Sequence, residues 1–78
     1  MFYYLEGVVA VMEQNLAVID VGGAGYACNT TMNTLSHLET GKKARLYTYC
    51  NIREDAFDIY GFFELGEKRF FEQLLTVS

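Results

Sequence analysis

The sequence predicts a small, mainly β domain: a five-stranded antiparallel barrel with a short helix between strands 3 and 4 and a helix at the C-terminus. Three observations carry this. Five runs are rich in branched and aromatic residues or alternate apolar with polar positions, as strands with one buried face do. Between the third and fourth runs, Met32, Leu35 and Leu38 recur three apart, which is helical spacing. Proline is absent, so glycine does the punctuating, most densely at Gly22-Gly23-Ala24-Gly25.

The elements follow in order. Leu5 to Met12 is Val-rich and ends at Glu13-Gln14-Asn15. Leu16 to Val21 sets Leu16, Val18 and Asp20 against Ala17, Ile19 and Val21, and the short Gln14-Asn15 link predicts a tight hairpin. The glycine cluster supplies the positive-φ positions of a second turn before Tyr26 to Thr30. Thr30 or Thr31 can cap the short helix, with Met32, Leu35 and Leu38 as its apolar face. Ala44 to Ile52 sets Leu46, Thr48, Cys50 and Ile52 against Tyr47, Tyr49 and Asn51; Arg53-Glu54-Asp55 is a charged turn; Ala56 to Phe62 is the fifth strand. The segment 64–77 is helical, with a stripe of Phe70, Phe71, Leu74 and Leu75 and a Glu64/Lys68 pair at i,i+4. Five strands with one helix after the third is the element order of an oligonucleotide/oligosaccharide-binding (OB) barrel.

Seventy-eight residues make one domain at most. No apolar run approaches the roughly 20 residues of a membrane span. The start, Met1 to Gly7, lacks the basic and long apolar regions of a signal peptide, so a cytoplasmic location is expected. The net charge is −4 and its distribution is uneven: residues 1–41 hold four acids and no Lys or Arg, while all six basic residues lie from Lys42 onward beside six acids. A domain that grips duplex DNA by itself carries a dense basic footprint. This one does not, so affinity for nucleic acid must come from elsewhere.

No constellation points to catalysis. The Gly22–Gly25 run lacks the Lys-Ser/Thr and following helix of a phosphate loop, and reads as a hairpin turn. Cys28 and Cys50 lie in apolar strands and read as reduced core thiols; the rival, a redox or metal pair, has only His37 to add, short of the four ligands of a structural zinc site. His37 reads as a surface residue of the short helix. Glu54 and Asp55 are adjacent carboxylates with no His, Ser or metal cluster beside them, which favours a solvated turn over acid–base chemistry. No cofactor is expected. Tyr47 and Tyr49 share a strand face and are the best stacking candidates, against the competing need of a small barrel for large core side chains. No basic residue interleaves the aromatics of Phe2-Tyr3-Tyr4 or of Phe57 to Phe63, which favours packing.

Four motifs fall in one register. Leu5-Glu6-Gly7 matches L-x-G; Val21-Gly22-Gly23-Ala24-Gly25-Tyr26 matches V-G-G-x-G-Y; Arg53-Glu54-Asp55-Ala56 matches R-E-D-A, followed by Tyr60-Gly61-Phe62; Glu67 to Leu74 matches E-x-x-x-F-x-x-L. On these the chain resembles the N-terminal third of the RuvA family. It departs at Phe2-Tyr3-Tyr4, where the family has a small residue or Gly after the first apolar one, and at Asn51, where an apolar residue is usual. The resemblance implies an OB barrel over 1–63 and, over 64–78, the first helix of a following helix-hairpin-helix domain that continues beyond this chain. It implies a non-catalytic DNA-junction subunit in recombination and repair, working as a homotetramer on four-way junction DNA with the RuvB motor, which holds the ATPase, and the RuvC resolvase. Glu54 and Asp55 are the positions of an acidic pin at the junction centre, and Arg53 beside them is a candidate phosphate contact. The alternatives are a general OB-type nucleic-acid binder, which would need basic residues on the face of Tyr47 and Tyr49, and an oligomerisation domain.

Overall fold

The computed structural model describes residues 2–76. It contains β1 (Tyr4–Glu13), β2 (Leu16–Val21), β3 (Ala24–Thr30), α1 (Met32–Ser36), β4 (Lys43–Arg53), β5 (Ala56–Phe62) and α2 (Leu65–Thr76). The strands close into a barrel in the order β1-β2-β3-β5-β4, the five-stranded OB architecture the element order implies. One seam differs from the antiparallel expectation. β3 and β5 run parallel, through Cys28↔Ile59, Asn29↔Tyr60 and Thr30↔Gly61. Alternation along a strand reports which face is buried, and is the same for a parallel or antiparallel neighbour.

The turns form where the sequence permits left-handed backbone. Gln14-Asn15 joins Glu13↔Leu16, with Asn15 at φ 58°. Gly22-Gly23 joins Val21↔Ala24 with φ 59° and 96°, and the Gly23 N–H donates to Asp20 Oδ1 at 2.8 Å. The glycine run is thus a two-residue hairpin loop with a strand, not a helix, behind it. β1 serves two neighbours, β4 through its first half and β2 through its second; a register shift between Val9 and Val11 bends it from one to the other.

The core is Leu5, Val9, Ala17, Ile19, Cys28, Leu38, Leu46, Cys50 and Ile59. Gly7 is required by it: a Cβ there would collide with the Asp20 carbonyl oxygen of the neighbouring strand. Both cysteines are buried free thiols, and burial, then the nearby Cys50, pushes the Cys28 thiol up to about 11.

Two expectations for the helices change. Thr31 is the N-cap of α1, its Oγ1 accepting from the Thr34 N–H at 3.1 Å. Of the expected apolar face, Leu38 enters the core and Leu35 packs against it, but Met32 is 69% exposed, and the fully buried residue of α1 is Thr34. The reason is a polar clamp. Thr34 Oγ1 accepts from the Phe63 N–H at 3.0 Å and donates to Glu67 Oε1 at 2.9 Å, and Thr31 Oγ1 donates to Glu67 Oε2 at 2.8 Å. A helix of five residues is thus held by these bonds together with Leu35 and the following Leu38. In α2, Lys68 makes no ion pair with Glu64; it turns inward over the Tyr3 ring. Of the expected stripe only Phe71 packs, against Tyr60, Phe62 and Tyr49 at centroid distances of 5.2, 5.1 and 5.7 Å. Phe70, Leu74 and Leu75 are exposed. The expected continuation of this helix over 77–78 lies outside the described residues.

Candidate nucleic-acid interface

Two surfaces carry chemistry, and β4 contributes to both. The first is the acidic turn. Residues 51–58 of the β4–β5 hairpin pair only with each other (Asn51↔Asp58, Ile52↔Phe57, Arg53↔Ala56), because β1 leaves β4 at Tyr47 and β3 meets β5 only from Ile59 onward. The hairpin therefore projects past the barrel mouth as a two-stranded ribbon. Ile52 and Phe57 keep the inward parity of their strands but have no barrel beneath them, and are 59% and 54% exposed. Glu54 and Asp55 form the tip, both exposed. Arg53, at the base of the turn, donates to Asp58 Oδ2 at 2.9 Å, an exposed ion pair worth about 0.2–1 kcal/mol.

The second surface is the outer face of the β1–β4 ladder. Lys43, Arg45, Tyr47 and Tyr49 occupy alternate, outward positions of β4, the parity opposite to buried Leu46, Thr48 and Cys50. Across from the first three stand Val8, Glu6 and Tyr4. The Arg45 guanidinium lies 4.2 Å from the centroid of the Tyr4 ring and 3.5 Å from Glu6 Oε1. The Tyr47 hydroxyl, and after it Glu6, hold that guanidinium above its ordinary range. Tyr47 meets Tyr3 and Tyr4 edge-on at 6.1 and 6.3 Å. Lys68 of α2 completes the group, with Nζ 3.9 Å from the Tyr3 centroid.

Folding thus does what linear order hides. No cation neighbours Phe2-Tyr3-Tyr4 in sequence, yet Arg45 and Lys68 reach Tyr4 and Tyr3 in space. The i+2 spacing Lys43, Arg45, Tyr47, Tyr49 was a legible signal, because it puts cations on the face of the two tyrosines. Those tyrosines then part company: Tyr49 is taken up by Phe71, and Tyr47 stays half-buried in the open cluster. His37 caps the C-terminus of α1 and stacks on Phe63 at 4.5 Å and 6°. Among the described residues, no group of three or more His, Cys, Asp or Glu side chains is placed to hold a metal ion, and no helix is long and apolar enough to cross a membrane.

The fold and these surfaces define an OB-type barrel domain that holds out an acidic ribbon and carries a cation–tyrosine face. The family model for the RuvA N terminal domain matches residues 1–61. This chain belongs to that family. Proteins named Holliday junction branch migration complex subunit RuvA resemble it along all 78 residues: 45% identity to that of Streptomyces coelicolor and 42% to that of Bacteroides thetaiotaomicron, in each case over 39% of the relative's length. The corresponding protein of Arthrobacter sp. is 42% identical over all 78 residues, which cover 36% of it. The chain therefore spans about two fifths of the length of the curated relatives it matches.

Proposed function

We propose that this domain is the barrel portion of a DNA-junction-binding subunit of a branch migration complex, and that its acidic ribbon separates strands at the junction centre by charge repulsion. The family membership supports the first half. The observation that carries the second is the placement of Glu54 and Asp55, alone at the tip of a ribbon that leaves the barrel. In this reading 1–63 is the barrel and 64–78 opens the helix-hairpin-helix domain that grips the duplex arms, for which the exposed Phe70, Leu74 and Leu75 are an apolar docking face. The subunit is non-catalytic, needs no cofactor, forms a homotetramer, and works in the cytoplasm with the RuvB motor and the RuvC resolvase on four-way junction DNA. Arg53 can exchange its weak pairing with Asp58 for a backbone phosphate.

Electrostatics sets the scale. Four copies about one axis bring about eight carboxylates near the crossover. One like-charge pair at 4 Å costs about 1 kcal/mol in water and about 4 kcal/mol at an effective dielectric of 20. Several pairs therefore disfavour continuous duplex across the centre, and an acidic domain suits that task. The same charge argues that residues 1–78 alone bind four-way junctions far more weakly than the ~10⁻⁸ M of specific DNA binders.

The test belongs in the longer protein that carries this domain, with Glu54→Gln and Asp55→Asn made together, which keeps shape and removes charge. Junction affinity should hold or rise, duplex affinity should rise more, and discrimination between them should shrink. A double mutant that stays tetrameric but loses junction binding would show the carboxylates making attractive contacts and overturn the repulsive reading.

A further inference from the structure

The cation–tyrosine face has three properties the junction reading leaves unused. Its rings are partly open: Tyr3 is 54% and Tyr4 44% exposed, each with a cation over one side of the ring, on the outside of a barrel whose own core is complete without them. Its charge runs against the acidic whole, with Lys43, Arg45 and Lys68 set against Glu6 and Glu72. The third property concerns Lys68. The residue is only 6% exposed, yet among the described residues it makes no ion pair within 4.0 Å, and its ammonium lies over the Tyr3 ring. Lys68 lines a recess of about 360 Å³ between Tyr3 and Tyr49, with Glu72 also on its wall.

We propose that this face binds an unpaired nucleic-acid strand, with bases stacked on Tyr3 and Tyr4, and backbone phosphates meeting Lys68 in the recess and Arg45 and Lys43 along β4. Each part follows from chemistry. An exposed tyrosine ring offers a base a stacking surface that is indifferent to sequence, and only unpaired bases offer their faces in return. The tyrosines meet edge-on at interplanar angles of 75° and 82°, so they form no closed stack among themselves. The ammonium lacks the anion that a phosphate supplies. A protein partner would meet the same rings, but nothing in a neutral apolar surface would answer Lys68. The face lies on the strand that ends in the acidic turn: seven residues separate Tyr47 from Glu54, roughly 23 Å at ~3.3 Å per residue. The proposal rests on the junction reading only for the source of the strand, one that has left its duplex at the crossover.

The experiment is fluorescence anisotropy of the 78-residue chain with a labelled ten-nucleotide thymidine strand at low salt. Saturable binding is expected in the ~10⁻⁶–10⁻⁴ M range of non-specific contacts. A blunt ten-base-pair duplex should bind at least about fivefold more weakly, since its bases are already stacked. The pair Tyr3→Ser, Tyr4→Ser should weaken strand binding at least about tenfold. Lys68→Met should weaken it and flatten its salt dependence by about 0.7 in log–log slope, the share of one phosphate on a single strand. If Lys68→Met fails to fold, the exposed Arg45→Gln gives the same reading. Ile52→Ser, on the ribbon, should change nothing. The proposal is overturned by any of four results: no binding at millimolar protein, an unchanged affinity in a natively folded tyrosine double variant, equal affinity for the duplex, or equal affinity for free thymidine monophosphate, which would mark a mononucleotide site. The charge-neutralised turn is tested on junctions, so either reading can fail without the other.

Discussion

Four glycine-to-alanine substitutions measure how tightly the barrel is closed, because each adds one methyl to a different surrounding. At Gly7 the new Cβ strikes backbone: it collides with the Asp20 carbonyl oxygen and lies 2.9 Å from that carbonyl carbon. Backbone cannot rotate away, so β1 and β2 must separate. Overpacking costs about 1–3 kcal/mol where side chains can adjust, and this site belongs at about 3 kcal/mol or beyond. At Gly61 the methyl meets Leu46 Cδ1 at 2.9 Å and Cys28 Cβ at 3.2 Å. Leu46 can turn and Cys28 cannot, which gives about 1–2 kcal/mol. At Gly25 the sole close atom is Val18 Cγ1 at 3.2 Å; the clash is small and the stiffer unfolded chain offsets it by about 0.4–1 kcal/mol. Gly66 lies in α2 with nothing within 4 Å, so Gly66→Ala should stabilise by up to about 1 kcal/mol. A 78-residue chain holds about 4–12 kcal/mol in all, at roughly 0.05–0.15 per residue. Gly7→Ala thus removes a large share, and its melting temperature should fall by at least about 12 °C, at ~4–8 °C per kcal/mol. Urea unfolding followed by circular dichroism gives the ranking directly. The reasoning fails if Gly7→Ala is no more damaging than Gly25→Ala.

Three further outcomes follow from the packing. Cys28 should resist alkylation in the native state at pH 8, where its raised thiol stays protonated, and react once the chain unfolds. Its folded value of about 11 lies above the ordinary 9.0, so the effect on stability is nil below about pH 9, and stability drops by roughly 2–3 kcal/mol as pH rises from 9 to 11; a flat urea midpoint over that window would contradict it. Thr34→Val keeps the shape but strips the Phe63 N–H of its acceptor and Glu67 of a donor, costing about 1–3 kcal/mol, with Thr34→Ser recovering most of it in the same melt. Phe71→Ala should leave the barrel folded but release α2 from Tyr49, Tyr60 and Phe62, seen as loss of near-ultraviolet dichroism with strand content retained.

How much of this was legible in the sequence depends on the kind of force. Strands and hairpins were, because burial parity and left-handed backbone are local: Ala17 and Ile19 face in as their alternation says, and Gly22-Gly23 turns where glycine allows it. The parallel β3–β5 seam was not, since neither strand's pattern changes with its neighbour's direction. The burial of Thr34 was not, because its partners, Phe63 and Glu67, lie about thirty residues away, at separations of 29 and 33. Lys68 was misread for the same reason: the Tyr3 ring it meets lies at the other end of the sequence, while Glu64 is only one turn away. The acidic turn was legible as a turn. Its reach was not, because projection depends on where β1 and β3 stop pairing.

That projection has a consequence of its own. Residues 51–58 bond only to one another, so they contribute nothing to the barrel wall and constrain nothing within it. Two residues added to each arm would carry the tip outward by roughly 6.6–6.8 Å and restore the original facing of every side chain. Cys50, Ile59 and the seams on either side would keep their register. The distance from barrel to carboxylates is therefore an adjustable length in this architecture, open to change by insertion or deletion without renegotiating the core.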